Sequence, residues 1–67
     1  MISQDRPILD ALLLALQSVR LPEQIDMIWK TLEAACRQAG IMNIGTKPNS
    51  VPQANSVAKN LRQRILG

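Results

Sequence analysis

Apolar residues recur every three or four positions between Leu21 and Gly40, the spacing that places them on one face of an α-helix. The positions that share this face are Ile25, Ile28, Trp29, Leu32, Ala35, Cys36 and Ala39. Pro22 suits a first helical turn, and a glycine such as Gly40 commonly follows the last turn. The pattern therefore predicts a helix over residues 22–39 that buries one face.

A similar pattern earlier in the chain predicts a helix over residues 6–20. The apolar residues expected on its buried face are Ile8, Leu9, Leu12, Ala15, Leu16 and Val19. Leu13 flanks that face, and Leu14 points away from it, near Asp10. Either the third helix covers these two leucines, or they contact a partner or a second copy, because a small monomer seldom leaves such a patch in water.

The third helix is predicted over residues 51–66, after an irregular loop at residues 40–50. Its narrow apolar face comprises Val51, Ala54, Val57, Ala58, Leu61 and Ile65. Ser50 and Gln53 have the S-x-x-Q spacing of a capping box, which marks a helix start. The apolar residues of the loop are expected to tuck under the helices without forming a strand: Ile41, Met42 and Ile44.

Together these patterns predict a single all-α, three-helix domain over residues 1–67. Helices 1 and 2 are expected to form a hairpin scaffold, with helix 3 across it and its basic side outward. A chain this short buries only about 60% of the surface that its unfolded form exposes, so it is marginal alone. One cysteine and no histidine exclude an internal disulfide and a Cys/His metal site. Self-association as a homodimer is therefore expected to supplement helix packing.

The sequence contains no evident catalytic constellation. Cys36 lies on the buried stripe of helix 2, and no histidine exists to activate its thiol. Asp26 and Glu33 each have a basic neighbour at i,i+4, which is typical of a solvated face. The segment 40–47 resembles a phosphate-binding loop only superficially, because its last two residues are transposed and Pro48 follows. We therefore expect a non-enzymatic protein with no cofactor, no metal and no small-molecule substrate.

The sequence also gives general indications of the cellular compartment and of the type of protein. The apolar run at residues 8–16 is too short to span a bilayer, and no basic lead-in of a secretory signal precedes it. A single thiol suits a reducing environment. We therefore expect a cytoplasmic protein that does not contact membranes. Its size and composition resemble those of small bacterial and phage regulators, without a motif that names a family.

Charge is unevenly distributed along the chain. Residues 1–40 contain five acidic and four basic side chains, whereas residues 41–67 contain four basic and no acidic ones. The third helix carries a ridge of amide and basic groups, which can neutralise phosphates or read base edges in a major groove. The residues that would bind double-stranded DNA are Lys47, Asn55, Lys59, Arg62 and Arg64. The alternative is that this ridge is simply a solvated helix face.

Two functions follow as hypotheses. The first is a small regulatory or adaptor protein that binds another protein, or itself, through an apolar helix face containing Leu13, Leu14 and Trp29. Trp29 is then either the anchor of the core or a hot spot for the partner. The alternative is a dimeric DNA-binding transcriptional regulator that uses the basic C-terminal helix. The two are compatible, because a dimer contact and a DNA-binding face can coexist.

Overall fold

The computed structural model describes residues 5–67, which form three helices. They are α1 (Asp5–Gln17), α2 (Pro22–Gln38) and α3 (Val51–Leu66). No strand occurs among residues 5–67. The prediction of an all-α domain with three helices is therefore confirmed for this range, although α1 ends before the expected position at residue 20.

α1 ends before residue 20, and the chain is extended at Leu21, the residue that precedes Pro22. A residue that precedes proline is driven to extended backbone, and Leu21 accordingly has φ −105° and ψ 122°. Just before it, the backbone N–H of Val19 donates to the carbonyl of Leu16 in a tighter turn (3.4 Å). Val19 is buried although it lies outside the helix. The short connection between α1 and α2 thus contributes Val19 to the core.

α2 ends in the glycine motif that the sequence indicated. Gly40 has φ +77°, a left-handed conformation that is unfavourable for residues with a Cβ atom. Its N–H donates to the carbonyl of Arg37 (3.1 Å), and the N–H of Ile41 donates to that of Cys36 (2.8 Å). This pair of bonds defines a Schellman motif, which satisfies carbonyls that the helix end would leave free. Ile41 then packs against the core.

α3 begins at a side-chain cap, as predicted. Ser50 Oγ accepts a hydrogen bond from the N–H of Gln53 (3.3 Å). Gln53 Oε1 accepts one from the N–H of Asn49 (2.8 Å), one residue earlier than in the standard capping box. Two free N–H groups near the helix start are thereby satisfied, and Pro52 in the first turn has no N–H to satisfy.

α1 is the central helix. It packs most extensively on α3 and somewhat less on α2, whereas α2 and α3 touch little. α1 and α3 are antiparallel, because Arg6 donates to the carbonyl of Leu66 at one end (2.7 Å) and Asn55 donates to that of Leu16 at the other (3.0 Å). This differs from the expected arrangement, in which helices 1 and 2 formed the scaffold and helix 3 lay across them.

The connection between α2 and α3 contributes to the core. Ile44 and Pro48 are buried in it, so Ile44 tucks in as predicted. Met42 does not, since it is 75% exposed. Lys47 donates to Asp26 Oδ1 (2.9 Å) and ties the loop to α2. α2 and α3 touch little, and the loop between them contributes Ile44 and Pro48 to the core.

The buried side of α1 is rotated from the predicted one. The fully buried residues of α1 are Leu9, Leu13 and Leu16. Ile8 and Ala15 were assigned to the buried face and are exposed. α2 and α3 do bury the faces that their patterns predicted, with Trp29, Leu32 and Cys36 in α2 and Ala54, Ala58 and Leu61 in α3.

Candidate functional site

The outer face of α1 is exposed and carries no charge. It consists of Pro7, Ile8, Ala11, Leu14 and Ala15, all of which are exposed. These positions repeat at intervals of three and four residues, so they form a continuous strip along the helix. Ile8 is 54% exposed and Leu14 is 40% exposed. A continuous apolar strip on a small protein is typical of a contact surface.

Two charged side chains of α1 lie on its α3 side and leave the outer face uncharged. Arg62 Nε donates to Asp10 Oδ1 at 2.7 Å. Arg6 Nη2 donates to the carbonyl oxygen of Leu66, also at 2.7 Å, and so satisfies a free carbonyl at the end of α3. The same packing that buries one side of α1 therefore also draws these two charges away from the opposite side.

Only one of the three predicted interface residues lies on the surface. Leu13 is 0% exposed and Trp29 is 2% exposed, and both belong to the core. This burial corrects the placement of both residues at an interface, and for Trp29 it agrees with the alternative of a core anchor. Leu14 is on the outer face of α1, as expected. Ile8 joins it there, and no sequence signal separated Ile8 from Leu9, because the two are adjacent and both apolar.

The other exposed apolar side chains do not form a comparable strip. Met27 lies on the outward side of α2, where its exposed helical neighbours include Glu23, Lys30 and Thr31. Leu21 is exposed in the connection between α1 and α2. Single apolar side chains among polar ones are normal on protein surfaces. The outer face of α1 is therefore the best-defined candidate surface of the described chain.

Asn55 was predicted to face DNA, but the structure gives it an internal role. Its Nδ2 atom donates to the carbonyl oxygens of Leu16 (3.0 Å) and Val19 (3.2 Å). Both carbonyls lie where α1 ends, and the last carbonyls of a helix have no partner within it. Asn55 thus caps α1 from α3, and its side chain is partly buried there.

The basic residues near α3 are mostly engaged by the chain itself. Lys47 and Lys30 both bind Asp26, at 2.9 and 3.2 Å. These two lysines, Lys47 first, hold the pKa of Asp26 below its usual value of 3.8. Arg64 donates to the carbonyl oxygen of Asn43 (3.1 Å). These charges remain in contact with solvent, but their side chains are already directed at groups of the same chain.

Lys59 differs from the other four residues predicted to bind DNA. It is exposed, and it makes no hydrogen bond or ion pair within residues 5–67. With Arg62, Asp10 and Gln17 it lines a groove of about 850 Å³ between α1 and α3. Gln17 Oε1 is buried there without a hydrogen-bond partner. The groove thus offers one lysine that is free within the described chain, which is not a constellation for acid–base or nucleophilic catalysis.

Cys36 is placed as the sequence indicated, inside the core. Burial raises the pKa of its thiol, and the nearby Glu33 raises it further. A thiol with a raised pKa is a poor nucleophile at neutral pH, because the thiolate is the reactive form. The described residues also include no group of three or more Cys, Asp or Glu side chains that could hold a metal ion.

Comparison with known proteins gives no assignment. No protein-family model matches the sequence, and it has no significant match among curated proteins or solved structures. Within the described residues, no helix has both the length and the apolarity needed to cross a bilayer. On the surface of the described chain, the outer face of α1 is the main candidate for a functional contact.

Proposed function

We propose that this protein is a non-enzymatic regulator or adaptor that acts by binding a protein surface through the outer face of α1. The observation that carries the proposal is the continuous exposed strip of five uncharged residues on a helix whose opposite side is buried in the core. Covering such a strip releases water from apolar surface, which is the dominant favourable term in most protein association.

The size of the contributing side chains sets the scale of the binding energy. Full burial of an isoleucine or leucine is worth about 1.5–3 kcal/mol. Ile8 and Leu14 are about half exposed, so each has about half of that stabilisation left to gain on binding. Ala11 and Ala15 add little area, but their small size allows a second helix to approach closely. The surface thus suits a helix or an apolar groove on the partner.

A lysine on the outer face should abolish binding without unfolding the chain. We expect Leu14→Lys to lose the proteins that the wild type retains when it is immobilised and exposed to an extract of cells that express it. The charged group would be buried unpaired in the complex but is solvated in the free protein. Met27→Lys is the matched control, because Met27 is exposed outside the strip.

Circular dichroism of the three proteins should show equal helix content. A protein retained by the wild type and by Met27→Lys, but lost with Leu14→Lys, supports the proposal. If Leu14→Lys retained every protein that the wild type does, the outer face of α1 would not be the binding surface.

The DNA-binding hypothesis predicts a different result, and the contacts of the basic residues weigh against it. With Asn55 turned inward and Arg62 paired, we expect only non-specific binding to mixed-sequence duplex DNA, with Kd weaker than about 10⁻⁶ M at physiological salt. Titration at low and physiological salt measures this. Submicromolar binding that Lys59→Ala weakens, and that Lys30→Ala on α2 does not, would restore the hypothesis.

A further inference from the structure

We infer that the occupant of the outer face of α1 is a second copy of this chain, packed antiparallel with Ala11 of each copy at the two-fold axis. This inference rests on the proposed function, because it uses the same surface. It adds the identity of the partner, the direction of packing and the register.

The strip is nearly symmetric about Ala11. Ile8 lies three residues before Ala11 and Leu14 lies three after it, while Pro7 and Ala15 lie four before and four after. In a two-fold contact, residue i of one copy meets residue j of the other and j meets i. An antiparallel pair centred on Ala11 therefore places Ile8 of each copy against Leu14 of the other. Positions at i±3 and i±4 occur on every helix face. What this strip adds is two side chains of nearly equal size, Ile8 and Leu14, at equal distances from a small central residue, as self-pairing requires.

The sizes of the side chains fit the same arrangement. Helices that pack closely approach to 8–10 Å between axes, and the closest point requires small side chains. Ala11 is the small residue at the centre of the strip, and the larger Ile8 and Leu14 lie one turn away on either side. Each large side chain would thus fill the space beside the crossing point. The rows at i±3 and i±4 are the ridges that interlock in helix packing.

Charges at the two ends of α1 select the antiparallel direction. Asp5 lies in the first turn, and Arg20 lies just past the last one. Neither forms an ion pair within the described chain. Antiparallel packing brings Asp5 of one copy to the end at which Arg20 of the other emerges, and it does so twice. Arg6 lies at the same end as Asp5, but its side chain is directed at the carbonyl of Leu66 on α3. Parallel packing would instead bring like charges together and align the two helix dipoles side by side.

The area available predicts a weak dimer. α1 has 13 residues and is therefore about 20 Å long. A contact confined to one such helix falls below the standard interface of about 1,200–2,000 Å². We therefore expect Kd in the range of about 10–100 μM, which corresponds to about −7 to −5.5 kcal/mol.

Sedimentation equilibrium over micromolar to millimolar protein measures the association directly. The wild type and Met27→Lys should shift from monomer to dimer across this range. Ile8→Lys and Leu14→Lys should remain monomers at every concentration. A wild type that stays monomeric at millimolar concentration overturns the inference.

Disulfide trapping tests the direction and register. Ile8→Cys and Leu14→Cys are each made in a Cys36→Ala background, so that each protein has one thiol. Under mild oxidation, a mixture of the two should form cross-linked dimers at least several-fold faster than either variant alone. Met27→Cys is the control for random collision. If Ile8→Cys alone cross-linked as fast as the mixture, the antiparallel register would be wrong.

These results separate the inference from the proposed function. A monomeric wild type that still captures another protein, and loses it with Leu14→Lys, overturns the inference and leaves the proposed function standing. If Leu14→Lys neither changes the association state nor releases any captured protein, both fail.

Discussion

Leu13→Ala should lower the free energy of unfolding by about 2–5 kcal/mol, the usual range for leucine truncation in a core. Leu14→Ala, one residue later, should change it by less than about 1 kcal/mol, as surface substitutions generally do. The difference follows from burial, because Leu13 is 0% exposed and Leu14 is 40% exposed. The two substitutions are chemically identical and share one helix, so effects on helix propensity cancel.

The expected loss for Leu13→Ala is large relative to the total free energy of unfolding of the domain. A domain of this length has about 3–10 kcal/mol of stability at about 0.05–0.15 kcal/mol per residue. Leu13→Ala would therefore remove much of it and lower Tm by at least about 8 °C, since each kcal/mol is worth about 4–8 °C in a domain of this size.

Urea unfolding followed by circular dichroism measures both variants. The experiment is run at two protein concentrations, because a dimer stabilises the folded state by mass action and would make the midpoint depend on concentration. Equal losses of unfolding free energy for the two variants at the lower concentration would show that α1 does not bury the face that contains Leu13.

Asn55→Ala should cost about 1–3 kcal/mol. It leaves the carbonyl of Val19 without a donor among residues 5–67, and that of Leu16 with only the long bond from the N–H of Val19 (3.4 Å). A buried polar group that loses its partner costs about that much. Helix propensity acts in the opposite direction, because alanine is the better helix former by less than about 0.7 kcal/mol. The net loss therefore reports the capping of α1 by α3.

Asn60→Ala is the matched control on the same helix. Asn60 is exposed and makes no side-chain hydrogen bond within residues 5–67, so its replacement should be neutral or slightly stabilising. Thermal unfolding of both variants gives the comparison. If Asn55→Ala were as stable as Asn60→Ala, the bridge to α1 would contribute nothing, and Asn55 would again be available to contact a ligand.

The faces of α2 and α3 were predictable because each helix has a polar side. In α2, charged residues such as Lys30 and Arg37 are excluded from the core, so the period of the apolar residues fixes which side is buried. α1 lacks this constraint. Between Ile8 and Leu16 only Asp10 is charged, and several rotations of the helix would bury a similar amount of apolar surface.

The roles of the polar side chains near α3 were not predictable for a related reason. Asn55, Lys59 and Arg62 are correctly placed at helical intervals by the sequence alone. The partners of Asn55 and Arg62, however, lie on α1 or just past its end, as far as 52 residues away in the chain for Arg62 and Asp10. Spacing within one helix carries no information about groups that another helix supplies. Asn55, which caps the end of α1, was therefore predicted to be part of an exposed ridge.

The sequence by itself determined the three helices, the buried faces of α2 and α3, and the start and stop signals at Ser50 and Gly40. These features depend on interactions within about one helical turn, which local residue patterns encode. Only the tertiary structure decided which side of α1 faces outward and which polar groups are already satisfied. Both depend on how α3 and the loop pack against α1, because burial and pairing are properties of the assembled chain and not of any one helix.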